Sequence, residues 1–404
     1  MTEADLIDWV LHYATAHDDL GKMLDGLCER LVATGIPVWR ASLSLPTIDP
    51  SARAVSHIWR RNRSTSVERT PHGREQEAAF RKSVIYHLQQ NNVRARRWRL
   101  EQGEGISEFE LLSALHAEGA TDYLLRLVGF GDGETALAGV AMSISTDRSG
   151  GFTTEEIETI NNLTPAVGLA TYRIAVARTA TDALSVYLGP RTARRVLLGE
   201  VRRGEGQTIA AAILWADLKG FTTLSENEDA LRVVGWLNEH FEVIGDAVMA
   251  QGGEILKFLG DGLLAVFPVA DIEALPCPVC EQAVQAAREA VAANGTLNEQ
   301  REARGEPRLD VDIALHFGEV VYGNVGAMHR LDFTVIGRAV NETSRMEALC
   351  DRLGRNILLS DALARRCSSP AIPLGSFQLR SIAGERIIHG LADESPRDVR
   401  ARLR

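Results

Sequence analysis

Residues 208–216 form an uncharged run that ends at Asp217 and a glycine-bearing loop. This junction constrains the fold of the rear half of the chain. The run is far short of the ~20 apolar residues needed to cross a bilayer, and it reads as a buried strand. Behind it, helical and strand patterns alternate. Residues 228–250 carry Leu231, Val234, Leu237, Phe241, Ile244 and Val248 at helical spacing, stopped by Gly252-Gly253. Residues 254–267 read as strand, Gly-Asp-Gly turn and strand, and 281–301 as a second helix. A strand-turn-strand unit over 309–325, a short strand over 333–336 and a helix over 340–350 follow. The reading is an α/β (α+β) domain over 207–392, with a C-terminal tail at 393–404.

With 404 residues, the chain has length for two or three domains. Residues 1–153 mix helix and strand. Over 5–32, Leu6, Trp9, Val10, Tyr13, Leu20, Leu24, Leu27 and Leu31 predict a helix. A strand is expected over 38–45, and strands at 123–129 and 137–145 are expected to pair through a turn at 131–134. From 154 to 188 the spacing predicts one long amphipathic helix of ~50 Å, interrupted by Pro165. Gly189-Pro190 ends it, and a short helix over 191–198 follows, so 154–206 reads as a helical linker. That linker either packs along its own domain or pairs with a second copy as a parallel coil.

Lys plus Arg number 44 and Asp plus Glu 54, a net charge of −10. This excludes a general nucleic-acid binder, whose phosphate contacts need excess positive charge. Arg94, Arg96, Arg97 and Arg99 around Trp98 make a local basic cluster, read as a solvated or interface strand. The first residues lack a basic stretch followed by an apolar one, and the five cysteines are scattered, so a soluble cytoplasmic protein without a membrane span is expected. Cys277-Pro278-Val279-Cys280 has a metal-like spacing but no second pair, so a structural metal is not expected.

Asp217 closes an apolar strand beside loop N–H groups, and Asp261 tips a hairpin. Singly, each reads as a turn residue; together, they can hold a pair of divalent ions against a triphosphate. Lys257 lies four residues before Asp261, flanked by Leu256 and Phe258. Asn341 and Arg345, four apart, share one helix face, and Thr334 precedes Gly337 by three. Alone, these four read as surface, capping or strand-forming residues.

Taken in order, the motifs resemble the catalytic domain of class III nucleotidyl cyclases. They are Ile213-Leu214-Trp215-Ala216-Asp217-Leu218-Lys219-Gly220-Phe221-Thr222, Lys257-Phe258-Leu259-Gly260-Asp261-Gly262, a glycine-rich stretch from His316 to Gly326, and Phe333-Thr334-Val335-Ile336-Gly337-Arg338-Ala339-Val340-Asn341 through Arg345. The resemblance implies a ferredoxin-like, palm-type domain with a mixed sheet and flanking helices. It implies metal binding by Asp217 and Asp261 with the Leu218 carbonyl, for two Mg²⁺ or Mn²⁺ ions per site. Gly220, Phe221 and Thr222 match the phosphate loop, Lys257 and Thr334 the purine-reading pair, Asn341 the ribose-orienting residue and Arg345 the transition-state arginine. It also implies a homodimer whose sites are shared between chains. Many members carry a late phosphate-contacting lysine, whereas this chain offers only Arg380 or Arg386 nearby.

The Lys-with-Thr pair resembles the class IIIb subgroup, and chemistry favours ATP independently. A lysine ammonium only donates and suits adenine N1, while a threonine hydroxyl accepts from the N6 amine. Guanine reverses both positions and would leave polar groups unpaired at ~1–3 kcal/mol each. The expectation is an adenylate cyclase forming cyclic AMP, with a guanylate cyclase or a catalytically silent regulator as alternatives. The first ~170 residues weakly resemble a GAF-type sensor domain in element order, which implies an unknown small-molecule or protein regulator.

Overall fold

The computed structural model describes residues 1–49, 52–131, 137–204, 206–226 and 228–396. Most of the turn expected at 131–134, the end of the C-terminal tail and the Thr222 side chain lie outside the described residues. The chain divides into two compact units, Met1–Leu184 and Ser185–Arg404.

In the front unit, β1 (Arg40–Pro46), β2 (Ala54–Arg60), β3 (Arg63–Thr70), β4 (Ala95–Trp98), β5 (Asp122–Gly129) and β6 (Gly139–Thr146) form one sheet in the order β3-β2-β1-β6-β5-β4. Every pairing is antiparallel. Alternation along β5 and β6 builds a layer on each face. Leu124, Val140, Met142 and Ile144 join the core under the helices Glu3–Ala16, Leu20–Ala33 and Thr154–Leu188. Tyr123, Leu125 and Ala141 join the core with Leu88, Trp98 and Leu112.

The helix expected over 5–32 is two helices. Asp19 accepts a hydrogen bond from the Lys22 amide at 3.0 Å and caps the second, while His17 leaves the first in an extended conformation. β2 and β3 were not expected: β3 is polar and almost wholly exposed, so no apolar alternation marks it. Asn62, at φ 64°, makes their tight turn. The basic cluster is structural in part. Arg97 grips buried Asp122 through two nitrogens, Arg99 pairs with Glu104 and Arg96 stacks on Trp98. The long helix runs through Pro165, and Ile160, Leu163, Val167, Ala170 and Ile174 bury in the front core.

In the rear unit, β7 (Gly206–Leu218), β8 (Glu254–Leu259), β9 (Gly262–Val269), β10 (Val311–Ala327), β11 (Arg330–Ile336), β12 (Ile357–Ser360), β13 (Ala371–Gln378) and β14 (Glu385–Leu391) build an eight-stranded sheet. Its order is β13-β14-β12-β10-β7-β9-β8, with β11 beside β10. β10 and β12 run parallel and the other pairs antiparallel, so the sheet is mixed, as expected. Residues 211–214 of β7 are buried on both faces, which suits the unbroken apolar run there. Ala212, Leu214, Ala216 and Leu218 face the helices Ala230–Ala250 and Pro278–Ala303. Ala211 and Ile213 face the opposite core with Tyr322, Phe333 and Val335.

The strand-turn-strand expected over 309–325 is one 17-residue strand, β10. Its unbroken antiparallel register with β7 carries the chain straight through Gly318 and Gly323. Cys277 caps the helix Pro278–Ala303, its sulfur accepting from the Cys280 amide, so this spacing serves a helix end. Among the described residues, no helix is long and apolar enough to cross a membrane.

A buried polar cluster ties the short helix Pro190–Leu197 to this sheet. Glu254 Oε1 accepts from the Thr192 amide and hydroxyl, both at 3.1 Å, and Tyr322 donates to Glu254 Oε2 at 2.9 Å. All three side chains are buried.

Candidate active site

β7 delivers Asp217 to the end of the sheet, where its register partners are Gly262 on β9 and Asp312 on β10. The Gly260-Asp261 turn joins β8 to β9, with Gly260 at φ 68°. The Leu218 amide donates to the Asp261 carbonyl at 3.3 Å, which brings the second aspartate beside the first. A Cβ on Gly262 would stand 2.8 Å from Asp217 Oδ1, so the glycine leaves the carboxylate its place.

Burial comes first, then the charges of Asp261 and Asp312, and together they push Asp217 up to about 7. Glu347, which the sequence reading missed, rises to about 8, through burial and then the neighbouring Asp217, Asp312, Asp351 and Asp261. Lys219 pairs with Asp351 at the same end. Among the described residues no group of three or more acidic, His or Cys side chains is arranged to hold a metal ion, but two carboxylates and a backbone carbonyl are hard oxygen donors of the kind that Mg²⁺ or Mn²⁺ takes alongside substrate phosphates. Asp217, Asp261 and the Leu218 carbonyl are the groups that would hold them. Gly220, at φ 69°, turns the chain into the short helix Phe221–Ser225, with the Phe221 side chain buried.

The other expected residues gather around β8, β11 and the helix Arg338–Glu347. A bulge in β8 between Ile255 and Lys257 shifts the lysine out of regular register. The Lys257 ammonium pairs with Asp332, a residue not singled out from the sequence. Thr334 is buried two residues further along β11. Asn341 and Arg345 lie exposed on one side of their helix, while Ala339, Glu342, Thr343 and Met346 bury the other. Arg386 donates to Glu342 at 2.7 Å and is thus committed to the base of this helix; Arg380 is exposed.

Residues 205–381 match the family model of the adenylate and guanylate cyclase catalytic domain. An adenylate cyclase of Anabaena cylindrica is 35% identical over 183 residues, covering 44% of this chain and 34% of that protein. Adenylate cyclase 1 of Rhizobium meliloti is 34% identical over 172 residues, 41% of this chain and 25% of that protein. The chain therefore spans only a quarter to a third of these relatives. Among solved structures, the adenylyl cyclase CyaB from P. aeruginosa is 27% identical, with a TM-score of 0.43, covering 48% of this chain and 98% of that one. The sequence match and the ordered motifs coincide, so residues 205–381 carry a class III adenylate/guanylate cyclase catalytic domain.

Proposed function

We propose that the chain is an adenylate cyclase, converting ATP to 3′,5′-cyclic AMP and pyrophosphate at sites shared between two copies. The observation that carries this reading is the meeting of Asp217 and Asp261 on adjoining strand ends inside the matched segment. Asp217 and Asp261 hold two divalent ions with the Leu218 carbonyl. When bound, those ions supply the Lewis acidity that activates the ribose 3′-hydroxyl and steadies departing pyrophosphate. Lys257 donates to adenine N1, and Thr334 accepts from the N6 amine. Gly220, Phe221 and Thr222 offer backbone to the phosphates. Asn341 orients the ribose so that the 3′-oxygen attacks the α-phosphorus intramolecularly, and Arg345 neutralises charge growing on the α-phosphoryl oxygens.

In this reading, one protomer supplies the aspartates, and its partner supplies Lys257, Thr334, Asn341 and Arg345. The front unit acts as a GAF-like sensor. A cavity of about 520 Å³ in it, lined by Arg53, Phe80, Ile85, Leu88 and Leu127 among others, supports a small-molecule regulator. Leu169, Tyr172 and Val176 lie exposed at helical spacing on the long helix and support a paired coil.

The test begins with purified full-length protein, given ATP or GTP with Mg²⁺ and separately with Mn²⁺. Cyclic AMP lost on Asp217→Ala supports the reading; predominant cyclic GMP overturns the purine assignment. Mixing inactive Asp217→Ala with inactive Arg345→Ala protein is expected to restore one intact site per heterodimer. Failure in demonstrated heterodimers would reject the shared site.

A further inference from the structure

The purine-reading roles of Lys257 and Thr334 leave Asp332 without a task, although its carboxylate holds the Lys257 ammonium. Asp332 and Thr334 are two apart on β11 and so share a strand face. Their register partners on β10 are Val325 and Gly323. Phe333 and Val335 bury on the opposite side, with Tyr322. The carboxylate is thus placed along the very strand face that carries the proposed acceptor for the base, and it is 53% exposed against 27% for the lysine. Such a pair is open enough to be broken by a ligand and sheltered enough to be formed without one.

We propose that Asp332 is a positioning residue that competes with the purine for Lys257, holding the ammonium until adenine N1 takes it over. The inference rests on the base-reading role given to Lys257 above. Binding of ATP exchanges one partner of the ammonium for another, and the net affinity is the difference between the two. An anionic carboxylate is a stronger acceptor for an ammonium than a neutral ring nitrogen, so the pair lowers the apparent affinity for the base and makes entry depend on the whole nucleotide. No proton or bond changes hands in this step.

Full-length protein carrying Asp332→Asn keeps the side-chain size and removes the charge. Its KM for ATP is expected to fall about two- to fivefold, the scale of a partly exposed ion pair. Damage to the fold moves KM upward or cuts kcat, the opposite direction, and a melting curve records it separately. In a Lys257→Ala background the same substitution is expected to leave KM for ATP where it was, because the competed group is gone. A KM that is unchanged or raised in Asp332→Asn overturns the proposal. So does a fall of equal size in both backgrounds, which would report general repulsion of the triphosphate. Lys257→Ala that leaves ATP kinetics untouched removes the base-reading role itself, and with it this inference; Lys257→Ala that raises KM while Asp332→Asn does nothing removes the inference alone.

Discussion

Asp217 and Asp312 stand directly opposite one another on β7 and β10, where neighbouring strands ordinarily avoid like charges. With Asp217 raised to about 7 and Glu347 to about 8, both folded-state values lie above those of free carboxyls. The folded chain therefore binds more protons than the unfolded one between about pH 4 and pH 8, and this contribution to stability is lost as pH rises through that window. The expected outcome is a melting temperature for metal-free protein that falls from pH 6 to pH 8, with added Mg²⁺ raising it more at pH 8. Asp217→Asn should flatten both trends in a thermal scan.

Arg345 is exposed, so its removal should leave the fold intact. Arg345→Ala is expected to lower kcat by about 10²–10³, the usual worth of one preorganised donor to developing charge. Steady-state rates beside a thermal melt check this: a melting point unchanged with such a rate loss is the expected pair of results.

Gly262→Ala places a Cβ 2.8 Å from Asp217 Oδ1 and 3.1 Å from the Ala216 carbonyl. The carboxylate has to move, and misplacement of a catalytic group by about 1 Å costs on the order of 10² in rate. We expect a loss of that size, together with a raised Mg²⁺ requirement, read from activity against metal concentration. Gly260→Ala, with open space around its Cβ, costs only its positive φ.

Tyr322→Phe removes the donor to Glu254 Oε2 while keeping the ring. Leaving that buried oxygen unpaired is expected to cost about 1–3 kcal/mol, measured by urea unfolding. Thr192→Val removes the hydroxyl donor to Oε1 but keeps the amide donor, and it should cost less.

Leu169→Glu combined with Val176→Glu charges an exposed apolar stripe without entering the front core. If the long helix pairs with its copy, sedimentation should show weakened dimer and cyclase activity should fall with it. A monomer–dimer balance identical to the parent protein would place the dimer contacts elsewhere.

The rear unit was legible because its strands declare themselves. Residues 211–214 of β7 bury on both faces and suit an unbroken apolar run, and the residues after Asp217 and around Asp261 follow patterns that only a few chemistries require. The front sheet was half hidden: β3, as Arg-Ser-Thr-Ser-Val-Glu-Arg-Thr, pairs through its backbone and offers almost nothing to a core. The strand-turn-strand expected over 309–325 failed because pairing with β7, distant in sequence, keeps β10 extended throughout. Glu347 and Asp332 escaped notice for another reason. Their neighbours, Asp217 and Lys257, are far away in sequence, and only folding sets the charges side by side.

The Glu254 cluster also says where the catalytic unit begins. Thr192 lies upstream of residue 205, where the family match starts, yet its amide and hydroxyl satisfy one oxygen of a carboxylate sealed inside the matched segment. Gly189 presses so close that a Cβ there would meet Glu254 Oε1 at 3.2 Å. A fragment cut at the edge of the homology would lose both Thr192 donors to Glu254 Oε1 and uncover a carboxylate that the longer chain keeps buried. The evolutionary border and the thermodynamic border of this domain are different places, and a truncation has to respect the second.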